Sequence, residues 1–431
     1  MGHLRSRGWD VKAEHISDAQ ADEFKARMQM SHTARWEVDI TRFRNVGGVG
    51  TIQTLAQNIP ITGGTLTLDS SDPIRRRLSL EVSGGSDWDS GEADWGDVDW
   101  EPDDAAAPLT PFGQWATLFV VVDKIGGGNF PRFQVFTGPI RSVVWERPSQ
   151  IMTVEATDPS QTVADYLHIR RRTYKDLSVK QVVSQLVNDA LPNALYNVDA
   201  NAHSEDAMIR FYTAEAGEPR WDTCLELAGR RNLEPFFDAW GDVCIRKDIT
   251  DEDDTFWDPS EPGGDIGDVA NPVCKFRDGE AGNLLGITST LTREGAVNGA
   301  IITATFKEKE GDSNRTPLST IETGPMAWSD RFGRVPLVES RTYSKRPSDF
   351  HDVMQKRTRK LLRRRGGMLR YHDFDSLPQY HAEPDDKVSI TVNGRTENHY
   401  LSSVEFDLTG GPMRCRTRTI STGTLATEAE S

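Results

Sequence analysis

The chain has 431 residues, more than one hydrophobic core usually serves, so two to four domains are expected. Hydrophobic residues make up 36% and charged residues 27%, a polar composition that still excludes a disordered chain. The formal net charge of -16 repels phosphate, which argues against a nucleic-acid grip unless basic residues gather on one surface.

The longest apolar runs, such as Leu118 to Val122, are too short to span a bilayer. No apolar segment follows the charged start Met1 to Arg7, so no secretory signal is evident, and a soluble product assembled in a cytoplasm is expected. Cys224, Cys244, Cys274 and Cys415 are scattered without a C-x-x-C pair, which points to buried thiols rather than zinc or redox chemistry.

Residues 1–34 read as an N-terminal arm. Ala21, Phe24 and Met28 recur at helical spacing within Ser17 to Met30, and the arm either docks on a neighbour or frays. Residues 35–160 read as a first β-domain. Alternation marks strands at Arg35 to Ile40, Gly64 to Asp69 and Arg77 to Val82. Further strands are expected at Gln114 to Val122, Arg132 to Phe136, Ser142 to Glu146 and Ile151 to Ala156. An acidic, Trp-rich insertion over 84–107 interrupts this domain.

Residues 161–285 change character to a small α+β region. Ser178 and Gln181 stand at capping-box spacing, and Val179, Val182, Val183, Leu186, Val187 and Ala190 trace one apolar helical face. A second helix is expected from Pro219 to Arg231, followed by a hairpin over Pro235 to Ile245. Residues 286–425 read as a second β-domain, with strands at Gly286 to Leu291 and Ala300 to Phe306, a loop from Gly311 to Pro325, and one helix from Ser348 to about Arg364. Its final strands are Lys387 to Val392, His399 to Phe406 and Met413 to Arg418, and 426–431 form a tail.

Two distant stretches match without a gap. Ser142, Val143, Trp145, Glu146, Met152 and Val154 correspond to Ser403, Val404, Phe406, Asp407, Met413 and Cys415. Upstream, Pro111 to Ala116 resembles Pro384 to Ser389, with a shorter loop in the second copy, a change that loops absorb at little cost. Order, spacing and the matching aromatic–acid pairs predict a β-rich α+β protein in which two related β-domains, sandwich or barrel, flank the inserted α+β region. Strand alternation arising by chance is the alternative.

At these residues the chain resembles the hub proteins of tailed bacteriophages, the baseplate or tail-tip hubs. Ile61 to Arg76 is similar to the family's opening hairpin, which ends in an arginine pair. Leu109 to Gly113 resembles the lead into its next strand, and Val154 to Ser160 its strand-to-domain crossover. Pro384 to Ile390 resembles a P-G-D-x-V-x-V signature, with Asp385 in place of glycine. The resemblance implies two tail-tube-like barrels per chain and a homotrimer whose six similar faces meet a sixfold tube. It implies a structural virion protein at the tail tip that takes no cofactor. Its partners would be the distal tail ring, tip or fibre proteins and the tape-measure protein, and DNA would pass through the channel without specific binding or membrane insertion.

Candidate interaction residues lie in two charged stretches. Asp87, Asp103 and Asp104 belong to an acidic run that surrounds Trp88, Trp95 and Trp100. The helix–loop–helix calcium template fails there, since Glu92 and Val98 occupy its glycine and final glutamate positions, so an exposed or partner-docked loop is expected. Sugar stacking on the three tryptophans is the alternative function, a receptor- or carbohydrate-binding tip protein. Arg363, Arg364 and Arg365 end the basic stretch Lys356 to Arg370, where cations at a helix C-terminus or across a subunit boundary outweigh DNA contact. Arg75 to Arg77 and Arg170 to Arg172 are read the same way. His372 and His381 lack paired ligand spacing and are expected at the surface or a barrel rim. No G-x-S-x-G, H-E-x-x-H, P-loop or Rossmann glycine pattern occurs, so no enzyme is expected.

Overall fold

The computed structural model describes residues 5–6, 9–10, 23–24, 26–46, 49–83, 107–124, 127–146, 151–192, 194–198, 208–231, 233–247, 272–280, 282–293, 296–306, 313–315, 318–321, 327–328, 333–343, 354–355, 358, 362, 369–417 and 425–427. Two compact units are present. The first comprises Met1–Asp248, Pro272–Gly286 and Phe374–Cys415; the second comprises Ile249–Asn271, Ile287–Asp373 and Arg416–Ser431. The expected 286–425 stretch is thus divided between them.

In the first unit, β1 (Arg5–Ser6) and β2 (Trp9–Asp10) form a short antiparallel pair. A long antiparallel hairpin follows, β3 (Ala34–Val46) with β4 (Val49–Pro60). Next come β5 (Gly63–Asp69), β6 (Arg76–Ser83), β7 (Gln114–Val122), β8 (Phe133–Glu146) and β9 (Ile151–Thr157). Alternation decides which face is buried: Leu66, Leu68, Leu78, Leu80, Val82, Met152, Val154 and Ala156 all point inward. The sequence suggests two strands where β8 is one. Gly138 permits the run, since a Cβ there would lie 1.9 Å from the Thr157 carbonyl oxygen. A register shift between Ile140 and Ser142 follows Pro139, which has no N–H to give to a ladder.

The expected arm residues Phe24 and Met28 are buried on this same unit. The Phe24 ring lies 4.2 Å from that of Phe133 and 5.3 Å from that of Phe130.

The inserted region holds helices Ser160–Asp165, Val179–Ala190 and Arg220–Gly229. Its strands are β10 (Arg172–Ser178), β11 (Tyr196–Val198), β12 (Met208–Ala214), β13 (Leu233–Phe237) and β14 (Val243–Lys247). Ser178 caps its helix as the spacing predicts: its hydroxyl accepts from the Gln181 N–H, and the Gln181 side chain accepts from the Ser178 N–H. No alternation marks β10, whose residues Arg172 to Asp176 are polar except for Tyr174. Apart from Ile74, every buried member of this region's hydrophobic cluster lies between Val163 and Ile245.

The chain continues through β15 (Cys274–Arg277) and β16 (Leu284–Thr292) into the second unit. There, β17 (Gly299–Phe306) pairs antiparallel with β18 (Ser313–Arg315) and β19 (Ser319–Ile321), and parallel with β20 (Pro336–Tyr343). The expected Gly311–Pro325 loop therefore supplies two short strands. Of the expected Ser348–Arg364 helix, the described residues Met354, Gln355, Thr358 and Leu362 are helical, and Met354, Thr358 and Leu362 are buried at a spacing of one turn. The chain returns along β21 (Leu369–Ser376), β22 (Lys387–Val392), β23 (Arg395–Asp407) and β24 (Met413–Thr417), and β25 (Leu425–Thr427) pairs with β19.

Counting only the residues of β16, β21 and β24 that belong to the first unit, its main sheet runs β16-β21-β24-β23-β5-β6-β9-β8-β7-β3-β4, and β22 pairs with β23. One weave therefore occurs twice. In chain order β5, β6, β7, β8, β9 stack as β5-β6-β9-β8-β7, and β16, β21, β22, β23, β24 stack as β16-β21-β24-β23-β22. In each copy the long fourth strand pairs through its first half with the strand before it. Burial phase agrees as well: Met152 and Val154 are buried, as are Met413 and Cys415. Among the described residues the sheet is open-ended, and no closed barrel is formed. No described helix is long and apolar enough to cross a membrane.

Candidate functional site

Three of the four resemblance stretches converge on one buried charge junction in the first unit. The turn after β5 brings Arg75 and Arg76, the end of β9 brings Asp158, and the turn before β22 brings Glu383 and Asp385. The inserted region adds Glu234 and Arg246 from β13 and β14. Arg75 pairs with Glu234 and, at 3.3 Å, with Asp385. Arg246 pairs with the same Asp385 oxygen and, at 3.5 Å, with Glu234. Both guanidiniums lie 4.6 Å from the centre of the Phe236 ring. Arg76 pairs with Glu383 at 2.6 Å and donates to the Phe237 carbonyl at 3.2 Å, while its backbone N–H donates to Asp158 at 2.9 Å.

Asp385 explains its own departure from the signature. Its φ of 74° lies in the left-handed region, where glycine is the usual occupant and Asp is tolerated. The fully buried side chain then supplies the carboxylate shared by two arginines. Burial presses the Arg75 guanidinium down, but Glu234 and then Asp385 hold it above its ordinary value. Burial raises Asp158 despite hydrogen bonds from Ser160 and the Arg76 backbone. Asp238, in the turn between β13 and β14, is pushed up to about 6, chiefly by burial. Its Oδ1 accepts from the Trp240 and Asp242 N–H groups, each at 2.9 Å, and the Cys244 thiol donates to its Oδ2 at 3.7 Å. Buried ion pairs of this kind fix geometry more than they add stability. The junction is a fastening between segments.

The second feature is the outer face of the doubled weave. Opposite the buried phase stand Glu81, Glu155, Glu405 and Asp407, with Ser and Thr as cross-strand neighbours: Glu81 faces Thr153, Glu155 faces Ser79 and Ser142, Glu405 faces Thr67, and Asp407 faces Thr65. The bases on this face, Arg77 and Arg414, are paired with Asp72 at 2.8 Å and Glu405 at 3.1 Å. The described face is net acidic and mostly polar, with Val144 exposed on it opposite Thr153.

The predicted site residues Asp87, Trp88, Trp95, Trp100, Asp103 and Asp104, and Arg363, Arg364 and Arg365, lie outside the described residues. So does the basis for the sugar-binding alternative. The surface placement expected for His372 and His381 is corrected, because both are buried. In the second unit, His372 Nδ1 lies 2.7 Å from Ser289 Oγ; in the first, His381 Nε2 lies 3.4 Å from Cys274 Sγ. Each strand or turn carries its histidine on an inward phase that the short polar stretch around it disguises. All four cysteines are buried. Glu234 and Arg246 went unnoticed in the sequence, where nothing links β13 and β14 to a turn over 150 residues upstream.

No family model matches the sequence, and no curated protein matches it. Solved structures do share the architecture, tail proteins among them, so the chain has the fold of those tail proteins. One is the tail protein from Neisseria meningitidis MC58, at 14% identity over 89% of this chain and 96% of that one, with a TM-score of 0.54. Another is the 43 kDa tail protein of prophage MuSo2 from Shewanella oneidensis, at 12% identity over 89% of this chain and 98% of that one, also with a TM-score of 0.54.

Proposed function

We propose that the chain is a structural, non-enzymatic component of a phage tail tip: a trimeric hub that joins the sixfold tail tube and distal ring to a threefold tip or fibres. The observation that carries this reading is the weave that occurs twice, head to tail. Inside the chain, β23 of the second copy pairs with β5 of the first. Their equivalents at the two ends are β8, whose Ile140–Glu146 half pairs with β9, and β16. Joining β8 of one chain to β16 of the next repeats the internal junction. Three chains then close a ring of six four-stranded units, each copy of the weave contributing one. A closed cyclic assembly also removes the two open edges, which isolated sheets must otherwise protect.

The Ser-, Thr- and carboxylate-bearing face supports a channel for DNA, since like charge keeps phosphate from sticking. The tape-measure, distal ring and tip proteins are the partners of this reading, with assembly in the host cytoplasm and residence at the virion tail tip. Light scattering of the purified chain should give three times its 48.1 kDa mass, and averaged images of tails should place it at the tip. A stable monomer that is absent from the particle defeats the reading.

A further inference from the structure

The inserted α+β region has a hydrophobic core of its own, to which the sheet contributes one side chain, Ile74. The short turn that carries Ile74 makes several of the polar ties as well. Trp221 Nε1 donates to the Pro73 carbonyl at 2.9 Å, Arg75 pairs with Glu234, and Arg76 donates to the Phe237 carbonyl at 3.2 Å. On the other flank, Gln134 donates to the Ala239 carbonyl at 2.9 Å. A region built this way has its own packing to keep on separating.

We infer that the inserted region is a separately cooperative module whose docking is decided by the clasp Arg75–Glu234–Arg246–Asp385. The clasp works as a unit for an electrostatic reason. Arg75 and Arg246 lie over one Phe236 ring and share two carboxylates, one from the module and one from the turn that leads into β22. Removing Asp385 takes away one of the two carboxylates that the buried guanidiniums share, and an uncompensated buried charge is far costlier than the pair was favourable. Docking of the module is thereby coupled to the position of the β22 turn. A shift at that turn loosens the module without unfolding either partner, which makes the clasp a conformational coupling between the second weave and the insertion.

The test is hydrogen exchange on the full chain, wild type against Asp385→Gly. Glycine suits the positive φ, so the substitution removes the carboxylate without straining the backbone. Amides of the docking face, Phe236 to Asp242, should exchange about tenfold faster in the variant, while Val182 to Val187 in the module's own helix stay as protected as in wild type. Loss of protection at both sites together overturns the separate module, and no change at either overturns the clasp. If the variant does not fold, exchange of the wild type in low urea decides. The docking face should open with a shallower urea dependence than the helix, and equal slopes refute the inference.

Discussion

At Asp238 the cost of burial is set against a turn that needs an acceptor. Its carboxyl is raised from 3.8 to about 6, so the folded protein binds its proton more tightly than the unfolded chain does. The sign follows: stability rises as pH falls through about 6, is fully gained below about 4, and is withheld at neutral pH, at an order-of-magnitude cost of about 3 kcal/mol. Asp238→Asn keeps an oxygen for the Trp240 and Asp242 N–H groups and sheds the charge. The variant should be more stable by about 1–3 kcal/mol at pH 7 and nearly level with wild type near pH 3.5, as read by urea unfolding at the two pH values. An equal difference at both would mean that the charge is not the cause. Asp385 plays a different part, as a carboxylate shared by two arginines.

Among the elements, periodicity was a good guide wherever one face is buried. The strands β5, β6, β7 and β9 and the capped helix at Val179 fall where alternation or 3.6-residue spacing puts them. What stayed hidden were elements held by distant partners. The hairpin strand β4 lies at an edge with no clear apolar alternation, the Arg172 to Asp176 part of β10 is polar apart from Tyr174, and the charge junction joins residues 75, 234, 246 and 385 that no local pattern connects. The β8 strand is a further example, because Gly138 and Pro139 look like a break in sequence and act as a crossing point in space. Gly138→Ala should cost at least about 2 kcal/mol, since the backbone of Thr157 cannot yield to a methyl group. Gly286→Ala, with nothing within 4 Å of its Cβ, should be neutral or slightly stabilising. Thermal unfolding of the two variants makes the comparison, and a tolerant Gly138 would show that β8 can part from β9 there.

For the whole molecule, the acidic face gives the channel reading its own test. Glu81→Lys, Glu155→Lys and Glu405→Lys together convert a repelling surface into an attracting one while leaving the buried phase untouched. The assembled variant should retain duplex DNA in low salt and release it steeply as salt rises, where the parent retains none. Indifference of the variant to DNA would place this face away from the channel.

The doubled weave differs between its copies at one connector. From β5 to β6 the chain needs only the turn 70–75, whereas from β16 to β21 it travels through 293–368, the greater part of the second unit. Two copies held to the same strand order have little freedom to diverge within the sheet, because a change there must still satisfy its neighbours on both sides. Their connectors carry no such obligation. Growth at one connector therefore adds new surface while the sheet keeps its strand order.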